Sequence, residues 1–305
     1  MRVCVVGCGA VGSLFAANLA NVDGVEVWAY DLARDHVDAI NRDGLRLSGA
    51  GEVVGRVRAT ADPRELPACE FGIVATKAMH TAAAIEATAH AFSGGCVASV
   101  QNGIGNEEEI AAHAERVIRG TTFPAGKLVR PGHVQWDVKG DTTLGPFEPR
   151  PAPLAEVERL ADACTRAGMA TTATADARGP QWQKVIFNAA TNPVGALTRL
   201  THGRVCERPE LRRVVSELVD EGKAVASAQG IELTGDPEEL IDHAAKPGVA
   251  YDHKSSMLQD VEARRRTEVD YLNGGIARFG DEHGVETPLN RAIWTLVRGL
   301  EGSWQ

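Results

Sequence analysis

Several absences narrow what this chain can be. It contains no run of about 18 apolar residues, so no membrane-spanning helix is expected. It has no basic excess: 32 Lys and Arg against 41 Asp and Glu give a net charge of -9, the wrong sign for a nucleic-acid partner. Its six cysteines, Cys4, Cys8, Cys69, Cys96, Cys164 and Cys206, include no CxxC pair. They read as reduced thiols of a cytoplasmic protein, not as a disulfide or zinc framework. His202 and His253 lack a metal-ligand spacing and a third ligand, so no metal is expected. The chain shows no internal repeat and no low-complexity segment. Its first residues enter a strand-like run that Gly7 interrupts too soon for a signal peptide.

What is present is an ordinary globular composition, 44% hydrophobic and 24% charged over 305 residues, enough for one or two domains. The first part alternates short apolar runs with helical patterns. Val3–Val6, Val25–Tyr30, Phe71–Thr76 and Val97–Gln101 read as strands. Helices are expected near Val11–Leu19, Arg34–Arg42, Thr81–Phe92 and Leu154–Ala167. That alternation predicts a parallel sheet with helices on both faces. Leu45–Leu47 and Val53–Val57 flank a Gly-rich turn and read as a hairpin insertion, and short β-like pieces follow from Thr121 to Leu144. After Gly179-Pro180 the texture is helical, with Pro180 placed in a first turn. Thr267–Phe279 reads as one long helix closed by Gly280. The fold class is α/β: a Rossmann dinucleotide-binding domain over 1–176, then an all-α domain over 177–305.

Gly7-Cys8-Gly9-Ala10-Val11-Gly12 is a GxGxxG that leaves a strand and opens a helix, the context in which this motif binds a dinucleotide. Gly7 permits the tight turn, Gly9 lets backbone approach a pyrophosphate, and Gly12 lets helix and strand pack closely. Asp31 follows the second strand, where a carboxylate holds the ribose hydroxyls of NAD and repels the extra phosphate of NADP. It also suits the N-cap of a helix starting at Leu32. Arg34 is close enough to reach a 2′-phosphate. The cofactor expected is NAD(H) in preference to NADP(H). Two more loops leave strand ends, at Thr76-Lys77-Ala78 and Gln101-Asn102-Gly103. Lys77 reads either as a solvated loop lysine or as a contact to cofactor or substrate. Asn102 reads either as a turn residue before glycine or as part of the site. Asn106, three residues before Glu109, reads as an N-cap.

Lys184, Asn188 and Asn192 recur every four residues and therefore share one helical face. One cation and two amides among Val185, Ile186, Phe187 and Ala189 form a stripe too polar for a core and too little charged for a surface. It suits a small, oxygen-rich molecule. Further on, Ser255-Ser256-Met257 reads as a helix start with a hydroxyl at the cap. Glu268 lies in Arg266-Thr267-Glu268-Val269-Asp270, whose charges taken singly read as a solvated face.

Taken together, these blocks resemble the ketopantoate reductase (2-dehydropantoate 2-reductase) family over nearly the whole chain. They are Gly7–Gly12, Thr76-Lys77-Ala78, Gln101-Asn102-Gly103, Trp182-Gln183-Lys184 with Asn188 and Asn192-Pro193, Ser255–Asp260, and Thr267–Asp270 with Asn273-Gly274. The resemblance implies a Rossmann domain, a helical C-terminal domain of the 6-phosphogluconate-dehydrogenase-like kind, and substrate in the cleft between them. It implies catalytic roles for Lys184 and Glu268, and substrate contacts for Asn188, Asn192 and Ser256. Lys77 and Asn102 match the cofactor-side loops, with Asn102 also reaching substrate. Cofactor binding falls to Gly7, Gly9, Ala10, Val11, Gly12 and Asp31.

The chemistry implied is hydride transfer from a nicotinamide to the C2 carbonyl of a 2-oxo acid, 2-dehydropantoate first, for pantothenate synthesis. Lys184 would donate the proton, its pKa lowered by apolar neighbours and partly restored by Glu268. Typical members carry a basic residue where this chain has Asp31 and use NADPH. Close members carry asparagines where it has His202 and His253. A paralogue acting on another 2-oxo or 2-hydroxy acid with NAD(H) is the alternative reading. A dinucleotide-sensing regulator is a third, disfavoured because a sensor needs no proton donor. The expected partner is the small-molecule acid alone, with no nucleic acid or membrane, and the helical half offers surface for a homodimer.

Overall fold

The computed structural model describes residues 1–304, which form two compact units. The first spans Met1–Gln101 and Asn106–Ala177; the second spans Arg178 onward together with Asn102–Gly105.

In the first unit, β1 (Arg2–Val6), β2 (Glu26–Tyr30), β5 (Arg58–Thr60), β6 (Phe71–Val74), β7 (Cys96–Ser99), β8 (Val117–Thr122), β11 (Thr142–Pro146) and β12 (Thr171–Ala173) form one sheet. Its order is β12-β11-β8-β7-β6-β1-β2-β5, and every pairing is parallel except β8 with β11. The order reverses at β1, whose neighbours are β2 and β6, so the carboxyl end of β1 is a topological switch point. After Arg2, β1 is apolar because both its faces are covered. Val3 and Val5 enter one core with Leu14, Phe15 and Ile40; Cys4 and Val6 enter another with Ile85, Val97 and Ile110. The first of these cores is supplied by α1 (Ala10–Leu19), α2 (Arg34–Asp43) and α5 (Leu154–Arg166), the second by α3 (Thr81–Thr88) and α4 (Asn106–Ala111).

The Gly-rich hairpin is present as antiparallel β3 (Leu45–Gly49) and β4 (Val53–Gly55). It is more than an insertion: with β9 (Ala125–Arg130) and β10 (His133–Val138) it makes a second sheet, ordered β4-β3-β10-β9. The β3–β10 pairing joins segments far apart in sequence, beyond the reach of local patterning.

The second unit is helical: α6 (Arg178–Thr198), α7 (His202–Cys206), α8 (Pro209–Ala228), α9 (Pro237–Ala244), α10 (Ser256–Glu262), α11 (Asn273–His283) and α12 (Pro288–Gly302). Trp182, Val185, Ile186 and Ala189 of α6 lie in its core with Leu218, Val261, Leu272 and Ile276. The helix expected over Thr267–Phe279 departs from that span at both ends. Thr267–Leu272 is a turn, because the Glu301 carboxylate takes both the Thr267 N–H and its hydroxyl and holds that segment out of a helix. Gly280 does not close α11 either: it is buried inside it, and left-handed Gly284 (φ 70°) is the C-cap. All the cysteines are free thiols. Among the described residues no helix is long and apolar enough to cross a membrane.

Candidate functional site

The turn after β1 in the first unit is tight and glycine-lined. Gly7 takes φ +87°, and a Cβ there would stand 2.5 Å from Thr76 Cγ2 and 2.7 Å from Thr76 N. A Cβ on Gly12 would sit 2.0 Å from Gly7 O, so strand and helix meet this closely only because residue 12 is glycine. Above Gly9, by contrast, a Cβ would meet no heavy atom within 4 Å. Gly9 is the N-cap of α1, no side chain caps that end, and no acidic residue lies in the first turn. Open space over uncapped helix N–H groups, including those around Ala10 and Val11, fits the pyrophosphate of a dinucleotide.

Asp31 lies at the end of β2 and faces this turn: its Oδ2 accepts from the Cys8 N–H at 2.8 Å. Its Oδ1 accepts from Ala33 N at 2.9 Å, which makes a local Asx turn. It does not cap a helix at Leu32. Helix α2 starts at Arg34, with Ala33 as N-cap, because the Asx turn occupies the two residues before it. Arg34 is exposed at the first position of α2. Lys77 follows β6 and precedes the short helical turn Ala78–His80; its neighbour Thr76 is the residue packed on Gly7. Gln101, buried after β7, ties this loop down: its Nε2 lies 3.0 Å from Thr76 O and 2.8 Å from Thr81 Oγ1. Sequence reasoning gave Gln101 no role. Asn106 proves fully buried, with its Oδ1 accepting from the Thr81 hydroxyl at 3.1 Å.

The second unit gathers Lys184, Asn102 and Glu268. Lys184 Nζ donates to Asn102 Oδ1 at 2.8 Å, and Asn102 Nδ2 donates to Glu268 Oε2 at 3.2 Å. The amide thus bridges cation and carboxylate, an arrangement the one-dimensional pattern does not show. Asn102 reaches this place because Asn102–Gly105, although within the span 1–176, packs on the second unit. Ile104 N donates to Tyr271 O at 3.0 Å, and a Cβ on Gly103 (φ +86°) would lie 2.6 Å from that same carbonyl.

Glu268 is buried, at 5% exposure, so its charge acts in a medium of low polarity. Its turn is fastened on both sides by α12. Glu301 accepts from Thr267 N at 2.8 Å and from the Thr267 hydroxyl at 2.6 Å. Trp294 Nε1 donates to Asp270 Oδ1 at 2.6 Å. Thr267 and Asp270 are therefore anchors for the turn, not a solvated face. Burial pushes the Lys184 ammonium down to about 8, while the nearby Glu268 charge pulls it back up. Such a lysine is charged at neutral pH yet gives up its proton readily.

Along the same face of α6, Asn188 is partly exposed and Asn192 is buried, with the Thr191 hydroxyl 3.4 Å from Asn192 Oδ1. Ser255 caps α10 by accepting from Leu258 N at 3.2 Å, which leaves Ser256 exposed in the first turn. Helix α10 packs on α6. His202 is held as a structural residue. Its Nε2 donates to Ile241 O at 3.0 Å, and its ring stacks on Phe187 at 5.6 Å. Burial lowers its pKa below the usual imidazole value and keeps it neutral. His253 meets it through backbone, His202 N donating to His253 O at 3.2 Å.

Known proteins resemble this chain over nearly its whole length. The family described as "Ketopantoate reductase PanE/ApbA" matches residues 3–149, and "Ketopantoate reductase PanE/ApbA C terminal" matches residues 176–301. A protein of Pyrococcus abyssi named 2-dehydropantoate 2-reductase is 34% identical over 303 residues, covering 99% of this chain and 98% of its own. Among solved structures, a PanE/ApbA family ketopantoate reductase from Ralstonia eutropha JMP134 superposes with a TM-score of 0.89, at 31% identity over 99% of both chains. A D-mandelate dehydrogenase, solved with NADH and anilino(oxo)acetate, superposes with a TM-score of 0.90 at 27% identity, again over 99% of both chains.

Proposed function

Because the chain belongs to the ketopantoate reductase family, we propose that it reduces the C2 carbonyl of 2-dehydropantoate to the hydroxyl of pantoate, with Lys184 as proton donor. The observation that carries the residue roles is the Lys184–Asn102–Glu268 chain, a partly buried cation whose pKa lies near 8 and whose carboxylate partner is reached through an amide.

The chemistry a bound nicotinamide supplies is a hydride for C2. Everything else falls to side chains. As C2 accepts the hydride its oxygen gains negative charge, and the Lys184 ammonium is the group that stabilises that charge and then gives its proton to the oxygen. Glu268 keeps enough positive charge on Lys184 for this at neutral pH. Asn102 fixes the direction of the ammonium by accepting one of its three N–H bonds. Asn188, Asn192 and Ser256 supply amide and hydroxyl donors for the carboxylate and the terminal hydroxyl of the keto acid. Holding both ends orients the ketone, which contributes more to rate than binding alone.

For the cofactor, the turn Gly7–Gly12 holds the pyrophosphate and Lys77 contacts the bound nucleotide. Asp31 supports NAD(H), because a carboxylate aimed at the fingerprint turn accepts from ribose hydroxyls and repels a 2′-phosphate.

A second reading concerns the substrate. The likeness to a D-mandelate dehydrogenase solved with NADH and anilino(oxo)acetate points to an aryl-substituted 2-oxo acid as the alternative. A panel of 2-oxo acids, with ketopantoate and an aryl 2-oxo acid included and followed by cofactor absorbance, separates the two. Highest kcat/KM on ketopantoate supports the first reading. Activity confined to the aryl acid replaces it with the second.

A further inference from the structure

Pro193 lies inside α6. Proline has no N–H, so the carbonyl four residues earlier, that of Ala189, loses the helical hydrogen bond it would otherwise accept. The ring also presses on that carbonyl. Ala189 sits between Asn188 and Asn192, so the break in the helix ladder falls inside the polar stripe itself.

The break is filled from another helix. Asn273 Nδ2 donates to Ala189 O at 2.9 Å. Asn273 is the first residue of α11 and is wholly buried. The same nitrogen donates to Asn290 Oδ1 at 3.0 Å, and Asn290 Nδ2 donates in turn to Glu221 Oε2 at 2.8 Å. That carboxylate also takes the Leu289 and Asn290 N–H groups at the start of α12, each at 2.8 Å. Two oxygen acceptors fix which end of the Asn273 amide is nitrogen. They leave its Oδ1 buried with no partner among the described residues. An orphaned buried carbonyl is costly, and an apolar residue of the same size would not carry that cost. The asparagine is explained by its donor, not by packing.

We propose that Asn273 is a positioning residue for the substrate. By standing in for the N–H that Pro193 lacks, it holds the Ala189 carbonyl and so sets the spacing of Asn188 and Asn192 on their shared face. This rests on the reading of that face as the one that holds the 2-oxo acid.

The test is Asn273→Leu, similar in branched shape and without a donor, alone and combined with Pro193→Ala, which returns an N–H to the helix. The 2-oxo acid KM is expected to rise at least about tenfold in Asn273→Leu, as misplaced binding groups commonly cause. Cofactor KM stays within about twofold, and Pro193→Ala recovers most of the rise, since its N–H can again reach the Ala189 carbonyl. Asn290→Leu cuts the same buried network but leaves the donor to Ala189 in place. It should lower Tm and leave the 2-oxo acid KM unchanged. If Asn273→Leu does not fold, Asn273→Ser, too short to reach Ala189, replaces it.

An unchanged 2-oxo acid KM in the Asn273 variant overturns the inference. So does a rise that Pro193→Ala fails to reverse, or one that Asn290→Leu reproduces. Asn188→Ala separates the two levels. If it raises KM while Asn273→Leu does not, the positioning role alone falls. If Asn188→Ala leaves KM unchanged, the substrate-holding face falls and the inference with it.

Discussion

The Lys184 ammonium donates to the Asn102 side-chain oxygen at 2.8 Å, across a separation of 82 residues. Asn102 in turn reaches Glu268 at 3.2 Å. One amide therefore both aims the cation and links it to its counter-charge. Asn102→Ala removes an acceptor from a charged donor, a loss of about 1.5–3 kcal/mol. A fall in kcat of about tenfold to a hundredfold is expected on that scale. Steady-state kinetics on the purified variant checks it. A wild-type kcat would show that Lys184 needs no such aim.

The lysine pKa near 8 has a signed consequence for rate. Reduction needs the protonated amine, so kcat for reduction should hold below about pH 8 and fall above it. Glu268 raises the lysine pKa. Glu268→Gln removes that contribution, and the alkaline limb should move to lower pH. A pH–rate profile of both proteins measures this. A limb that stays put in Glu268→Gln contradicts the electrostatic role assigned to the carboxylate.

Much of this arrangement was legible in the sequence. The fingerprint Gly7–Gly12 and the stripe Lys184–Asn188–Asn192 are local, and local spacing is what periodicity reads. The βαβ alternation gave the parallel sheet for the same reason. What was not legible is non-local. Nothing in the neighbourhood of Asn102 says that its loop packs on Tyr271, or that its amide bridges Lys184 and Glu268. Thr267 and Asp270 looked like solvent-facing charge and polarity because Glu301 and Trp294, their anchors, come from a helix further along the chain. The misplaced start of α11 has the same origin. A helical pattern over Thr267–Leu272 gave way to tertiary hydrogen bonds, which outweigh a propensity of tenths of a kcal/mol per residue. The one available local signal was Pro193: a proline within a helical stripe announces an orphaned carbonyl at Ala189 and so a donor from elsewhere.

The proposed preference for NAD(H) rests on Asp31, whose carboxylate accepts from the Cys8 N–H of the fingerprint turn. Wild-type enzyme should show the higher kcat/KM with NADH. Asp31→Ala should narrow or reverse that preference, chiefly by improving NADPH. Initial rates at limiting concentrations of each cofactor decide it, and a clear wild-type preference for NADPH removes Asp31 as the determinant.

Gly12→Ala probes the fingerprint itself. Its Cβ would be 2.0 Å from Gly7 O and 3.1 Å from Val5 Cγ1, and the nearer of these is backbone, which cannot swing aside. Overpacking of this kind costs about 1–3 kcal/mol. Thermal unfolding should show a lower Tm, and fluorescence titration a weaker cofactor Kd. Wild-type values for both would mean the turn is looser than the contacts indicate.

The central claim is that Lys184 donates the proton in reduction of a 2-oxo acid. The most direct measurement is the turnover of Lys184→Ala on ketopantoate beside its cofactor Kd. Loss of a positioned general acid lowers kcat by about 10²–10⁴-fold. The prediction is a fall in kcat of that size with cofactor Kd unchanged. Wild-type turnover in Lys184→Ala would contradict it.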